Sequence, residues 1–252
     1  MSHGAPTFML EENATTRFWQ SLPGLLPQQP RAVLCVSAHW DAPQLRLSGA
    51  LGKTGLLHDY YGFPKELYDI VWHEHEDEKT AVWLSKRLQE LGVDVLEDNR
   101  PKDHGLWVPL KTAWPVPQFP VYQLSLCLVQ GLDSHWESGR RLQVLRDEGV
   151  LIIGSGGITH NLRALDWHAA ADTAEPWAAA FVDAVEQAIA RNDRAALCKP
   201  WLFPYGKECH PGIEHYAPLL VALGAANGEH VQALHRSWMY GTFALNAYGA
   251  GF

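Results

Sequence analysis

Val33-Leu34-Cys35-Val36-Ser37-Ala38 is an almost unbroken apolar run that ends on the polar tip His39-Trp40. A strand made of such a run has no wet face, so it must be covered by packed elements on both sides. That requirement removes half-solvated meanders and leaves layered architectures. Residues 31–38 read as this strand, and residues 150–154 (Val-Leu-Ile-Ile-Gly) read as a second one of the same kind.

The segments between and around them supply the cover. Residues 11–22 read as a helix with Phe18 and Leu22 on one side, followed by a loop marked by Pro23, Pro27 and Pro30. Residues 76–91 are amphipathic, with Ala81, Leu84, Leu88 and Leu91 on one face, acidic Glu76, Asp77 and Glu78 at the start and Gly92 at the stop. Ser134-His135-Trp136-Glu137 has the pattern of a capping box, opening a helix that ends near Gly149. Residues 173–191 carry Pro176 in a first helical turn and Trp177, Phe181, Ala184 and Ala188 on one face. Residues 214–225 read as a last helix with His215 in its first turn. Residues 44–48 and 120–126 alternate as strands, and the tail over 231–248 is β-like. Strands alternating with helices predict an α/β fold, one domain over 1–252, with a mostly parallel central sheet and helices on both faces.

At 252 residues, 47% of them hydrophobic, one large core is feasible. The formal charge of -8 argues against a nucleic-acid or anionic-membrane surface. No apolar run approaches the roughly 18 residues of a membrane span, and nothing resembles a signal peptide, so a cytoplasmic protein is expected. The four cysteines form no CxxC pair, and Cys35 and Cys127 sit in apolar strand patterns as buried free thiols. Thirteen histidines and eleven tryptophans are the unusual counts.

Placement separates the histidines. In open α/β sheets, ligands gather beyond the carboxyl ends of strands. His39 ends the first buried strand; His160 follows the second through Ser155-Gly156-Gly157. His3 lies in a His-Gly-Ala-Pro turn, His104 between Asp103 and Gly105, and His215 beside Glu214. His73, His75, His135, His168, His210, His230 and His235 lack such positioning and are solvent-facing by default. A Cys209–His210–His215 zinc site lacks a second paired cluster. There is no HExxH, no paired CxxC, no phosphate-binding Gly-Lys-Ser/Thr and no Gly-x-Ser-x-Gly elbow.

Six short pieces then occur in a specific order: Ser-His-Gly-Ala-Pro, Val-Ser-Ala-His-Trp, His-Asp-Tyr-Tyr-Gly-Phe-Pro, Asp-His-Gly, Gly-Ile-Thr-His-Asn-Leu and Glu-His-Tyr-x-Pro-Leu. From residue 2 to about 225 the chain resembles the DOPA extradiol dioxygenases, a branch of the class III ring-cleaving dioxygenases of the protocatechuate 4,5-dioxygenase type. The resemblance implies a single non-haem Fe(II), with His3, His39 and His215 at the metal positions. It also implies that His160 is a further ligand or an acid/base, that His104 stands beside the oxygen site, and that His58 lines the pocket. Tyr216 joins His58 as a substrate-binding candidate. His160 is the first candidate for the base that deprotonates substrate, titrating near pH 7; His104 or His160 then supplies a proton. The implied partners are a catechol and O2, with L-DOPA cut at its 4,5 bond the leading substrate.

Two departures from the pattern carry expectations. Wider class III enzymes use two histidines and a carboxylate, so Glu214 competes with His215 as third ligand; His215 is preferred. Relatives carry a strand before the first His-Gly, whereas Met1-Ser2 alone precede His3 here, so either a loosely held ligand or a native start further upstream is expected. Zinc suits the same donors. A zinc-hydroxide hydrolase and a non-enzymatic binding module of the Memo type are the rival readings.

Overall fold

Alternate residues of the first strand enter two different cores. Ala32, Leu34 and Val36 belong to one buried cluster, and Val33 and Cys35 to another. The structure is a computed structural model describing residues 1–49, 52, 54–75 and 77–251. Its elements run α1 (Ala14–Leu25), β1 (Ala32–Asp41), β2 (Arg46–Ser48), α2 (Glu78–Glu90), β3 (Leu96–Asp98), α3 (His104–Ala113), β4 (Val121–Leu126), α4 (Leu132–Asp147), β5 (Val150–Ser155), α5 (Pro176–Ala190), α6 (Arg194–Leu197), α7 (Gly206–Cys209) and α8 (Ala217–Ala226). The chain closes with β6 (Gln232–His235), β7 (Trp238–Met239), β8 (Phe243–Ala244) and β9 (Ala247–Gly249), paired as two small ribbons.

The central sheet has the order β3-β2-β4-β1-β5. Strand β1 runs parallel to both β4 and β5, and β2 runs parallel to β3 but antiparallel to β4. The expected mostly parallel α/β sheet is therefore what forms. Phe18, Trp19 and Leu22 of α1, with Leu106, Trp107 and Leu110 of α3, cover the face of Val33 and Cys35. Leu84 and Leu88 of α2, Trp136 and Leu142 of α4, and Leu220 and Val221 of α8 cover the face of Leu34 and Val36. Each fully buried leucine of this kind contributes roughly 1.5–3 kcal/mol. All four cysteines are free and buried. No helix among the described residues is long and apolar enough to cross a membrane.

Several boundaries differ from expectation for local reasons. Helix α1 begins at Ala14 because Asn13 forms a capping box with Thr16, and it continues through Pro23. Asp77 caps α2 through the amides of Lys79 and Thr80; Glu76, the expected start, lies outside the described residues. The Ser134 pattern is not a cap: α4 starts earlier, after Gly131, and Ser134 and His135 both donate to the Gly131 carbonyl. His215 precedes its helix, since α8 starts at Ala217 with Pro218 in its first turn.

Candidate active site

The site is built where β1 outruns its neighbour. Pairing of β1 with β5 ends at Ser37 opposite Ser155, and β1 continues past it through His39 to Asp41. The two facing serines point their hydroxyls the same way. Ser37 Oγ donates to Asp103 Oδ1 at 2.6 Å, and Ser155 Oγ donates to the Gly105 carbonyl. Together they hold the start of α3 over the end of the sheet. Only glycine fits there: a Cβ on Gly105 would lie 2.5 Å from Ser37 Oγ, 3.0 Å from His39 Cδ2 and 3.1 Å from His3 Nδ1.

Asp103 is fully buried and its second oxygen accepts from Arg100 Nη1 at 3.0 Å and from the Gln123 amide. Arg100 Nη2 also donates to the His39 carbonyl at 3.0 Å, so one guanidinium ties the strand tip to the start of α3. His3 is not loose, contrary to expectation. Ser2 forms a parallel bridge with Gly156, the His3 amide donates to the Gly156 carbonyl at 3.2 Å, and the Gly156 amide donates to the Met1 carbonyl at 3.1 Å. His215 is fixed from the other side: its carbonyl accepts from the Gly157 amide at 2.9 Å and packs where a Cβ on Gly156 would lie 2.1 Å away.

These supports bring five predicted histidines together. Ring centroids lie 4.9 Å apart for His3 and His39, 4.1 Å for His39 and His104, and 5.4 Å for His3 and His104. His215 stands 5.0 Å from His39 and 5.4 Å from His3, and His160 stacks on His215 at 3.3 Å. Two sets of donor atoms within 4.8 Å of one another suit a metal: His3, His39 and His104, and next to them His160, Glu214 and His215. The expected set of His3, His39 and His215 draws on both.

Hydrogen bonds fix where the lone pairs point. Ser155 spends its only proton on Gly105, so toward His3 Nδ1, 3.1 Å away, it can only accept. His3 is therefore protonated at Nδ1 and bare at Nε2. His39 Nδ1 faces Asp59 Oδ2 at 3.3 Å, which leaves its Nε2 bare as well. These two Nε2 atoms lie 3.1 Å apart. Two lone pairs facing at that distance repel unless a cation lies between them, so the residues fit a metal. His215 repeats the pattern: Nδ1 meets Glu214 Oε1 at 3.1 Å, and the buried Nε2 has no hydrogen-bond partner.

Burial makes these rings neutral. It pushes His3 well below the usual histidine range, with the neighbouring histidines adding to the effect, and takes His39 down to about 2. His215 is lowered by burial despite its bond to Glu214. Burial and then His215 push His160 to about 3, not to the titration near neutrality that the sequence suggested. The His215 hydrogen bond holds the Glu214 carboxyl down to about 2. For Asp59, burial alone would raise the carboxyl, but bonds from His104 and the two nearby rings win and hold it at about 2.

His58 lies beside this cluster in an aromatic loop, with rings of Trp107, Tyr60 and Tyr68 at 5.6, 5.8 and 6.1 Å. The Tyr60 ring reaches the His104 ring at 5.7 Å. Tyr216 is placed differently from expectation: it is fully buried in the core against His210, away from any open surface. His135 and His210 are buried rather than solvent-facing. His135 accepts from the Cys127 amide and donates to Gly131, and His210 bonds to the Ile158 carbonyl at 2.9 Å. His235 is half-buried, stacked on Phe18. Sequence reasoning missed Ser37, Ser155, Arg100, Asp103 and Asp59 as parts of the site. Only Asp59 and Asp103 had a signal, each being next to a singled-out histidine.

Comparison with known proteins gives a consistent answer. Residues 1–251 match the family described as the catalytic LigB subunit of aromatic ring-opening dioxygenase. The chain is 34% identical to a protein of Escherichia coli K12 named 4,5-DOPA dioxygenase extradiol, over 91% of this chain and 84% of that one. It is 32% identical to the 4,5-DOPA dioxygenase extradiol of Beta vulgaris, over 98% and 94% respectively. The fold is similar to the crystal structure of an uncharacterized protein from Escherichia coli K12, with a TM-score of 0.79 and 30% identity over 96% of this chain and 94% of that one. A match spanning nearly every residue, with curated relatives at 32–34% identity over most of both chains, places the chain in the LigB family of extradiol, aromatic ring-opening dioxygenases.

Proposed function

We propose that this enzyme opens L-DOPA at the 4,5 bond, giving 4,5-seco-DOPA that cyclises to betalamic acid, with Fe(II) held by His3, His39 and His215. The observation that carries the metal is the pair of bare Nε2 atoms of His3 and His39, 3.1 Å apart. The names of the relatives carry the substrate. Imidazole donors suit Fe(II), and they suit zinc as well, so a zinc-loaded sample would be inactive. When bound, the iron supplies a meeting place for catecholate and O2 and an electron route between them.

The protein's own groups handle protons and orientation. His160 is neutral at pH 7 and so open to a proton from a catechol hydroxyl. It is a weak base in the free protein, but an adjacent catecholate raises its affinity for that proton. His104 carries Asp59 on Nδ1 at 2.8 Å, which orients its ring and leaves Nε2 to take up a proton and pass it on. His58 and Tyr60 offer aromatic edges and faces to the substrate ring, with the buried Trp107 packed behind His58. Turnover under 18O2 tests this assignment. Both labelled oxygens should appear in the ring-opened product. Turnover without O2 would instead support a zinc-hydroxide hydrolase.

A further inference from the structure

Asp59 lies 45 residues before His104 in sequence, yet its carboxylate reaches two rings of the cluster. Oδ1 accepts from the His104 amide at 3.1 Å and from His104 Nδ1 at 2.8 Å. Oδ2 faces His39 Nδ1 at 3.3 Å. An ionised carboxylate only accepts, so both imidazoles must present N–H to it. We propose that Asp59 is a positioning residue, a single clamp that sets the tautomers of His39 and His104 together and turns both bare Nε2 atoms into the cluster.

The clamp is held from outside the cluster. Leu56 forms a parallel bridge with Lys102, the Leu57 amide donates to the Lys102 carbonyl at 2.7 Å, and the Lys102 amide donates to the Gly55 carbonyl at 3.1 Å. Trp107 Nε1 donates to the Leu57 carbonyl at 3.1 Å. Residues 55–57 are thus stitched to the segment that carries His104, and Asp59 arrives two residues later. The carboxylate is largely shielded, with a side-chain exposure of 17%. Groups that hold the outer nitrogen of a metal-facing histidine fix its ring and its tautomer. Here one group does so for the ligand His39 and for its neighbour His104, and removing it disturbs both rings at once.

Asp59→Asn separates the two halves of the clamp. The amide oxygen takes the Oδ1 place, where two N–H groups of His104 demand an acceptor. Its NH2 then faces His39 Nδ1, which must give up its proton and carry it on Nε2, toward His3. The inference rests on the metal reading, so its test uses binding and tautomer state rather than turnover. Histidine 15N spectra of the metal-free protein should show His39 and His104 both protonated at Nδ1. In Asp59→Asn, His39 alone should switch to the Nε2–H form. Zinc affinity, read by competition with a chromophoric chelator, should fall roughly 10- to 100-fold, with Asp59→Glu recovering most of it. Unchanged zinc affinity in Asp59→Asn, or an Nε2–H form of either ring in the unsubstituted protein, would overturn the clamp, and the spectra of the unsubstituted protein decide if the variant does not fold. Normal zinc binding and tautomers in an iron-loaded protein that turns over no catechol would overturn the proposed activity and leave the clamp standing.

Discussion

The imidazoles of His160 and His215 stack face to face, with centroids 3.3 Å apart and planes 5° apart. The contact separates two jobs. His215 points a partnerless Nε2 inward with Glu214 on its other nitrogen, while His160 is braced against its ring. His160→Ala should therefore retain metal and lose turnover by at least about 100-fold, the usual scale for a lost general base. Metal content measured beside the rate checks this; full activity would remove His160 from the proton path.

His39→Ala should behave in the opposite way, losing metal and activity together. It removes one of the two bare nitrogens that face each other at 3.1 Å. Equilibrium dialysis with Fe(II) or zinc reads the loss directly, and retention of stoichiometric metal would exclude His39 as a ligand.

Gly105→Ala tests whether the start of α3 must touch the cluster. The added methyl meets Ser37 Oγ, His39 and His3 within 3.1 Å. Overpacking of this kind costs about 1–3 kcal/mol, and a displacement near 1 Å at the site costs about 100-fold in rate. Melting temperature and kcat should both fall.

Asp103→Ala should destabilise the fold by about 3 kcal/mol or more. Its buried carboxylate collects Ser37, Gln123 and Arg100, and removal strands these donors. A denaturant titration gives the number. Loss below about 1 kcal/mol would show that the network is dispensable.

Acid should destabilise the metal-free protein through histidines that burial keeps neutral. Burial lowers His135, and it takes His210 to about 4 against the pull of the Ile158 carbonyl. The unfolded chain takes up these protons near pH 6.5. Stability is therefore complete above that value and declines as pH falls toward about 4, by about 3 kcal/mol for His210. Thermal melts across this range should show a shallower pH slope in His210→Gln and His135→Gln. Identical slopes would contradict the assignment.

Much of the layer architecture was legible because its signals are local. The runs in β1 and β5 and the stripe of α2 are written in consecutive residues. Helix α3 was not legible: Leu106, Trp107, Val108, Pro109 and Leu110 are all buried, so no polar face marks its period. The five clustered histidines were found by order and placement. Their supports were hidden, because Ser37 meets Asp103 across 66 residues and His3 meets Ser155 across 152. His135 and His210 went unread as core residues for the same reason, since the backbone groups that satisfy them are supplied only by the turn and the fold. Tyr216 followed His215 in the motif but turned inward, as neighbours in an irregular segment can.

Oxygen uptake tests the central claim most directly. The protein would be stripped of metal, reloaded with Fe(II) without air, given L-DOPA and then exposed to O2, with uptake and visible spectrum followed together. The account predicts one O2 consumed for each ring opened, with a yellow product whose spectrum is that of betalamic acid. A muscaflavin spectrum would move the cut to the 2,3 bond, and uptake with other catechols alone would move the substrate. No uptake with any catechol, in protein shown to hold iron, would contradict the dioxygenase account.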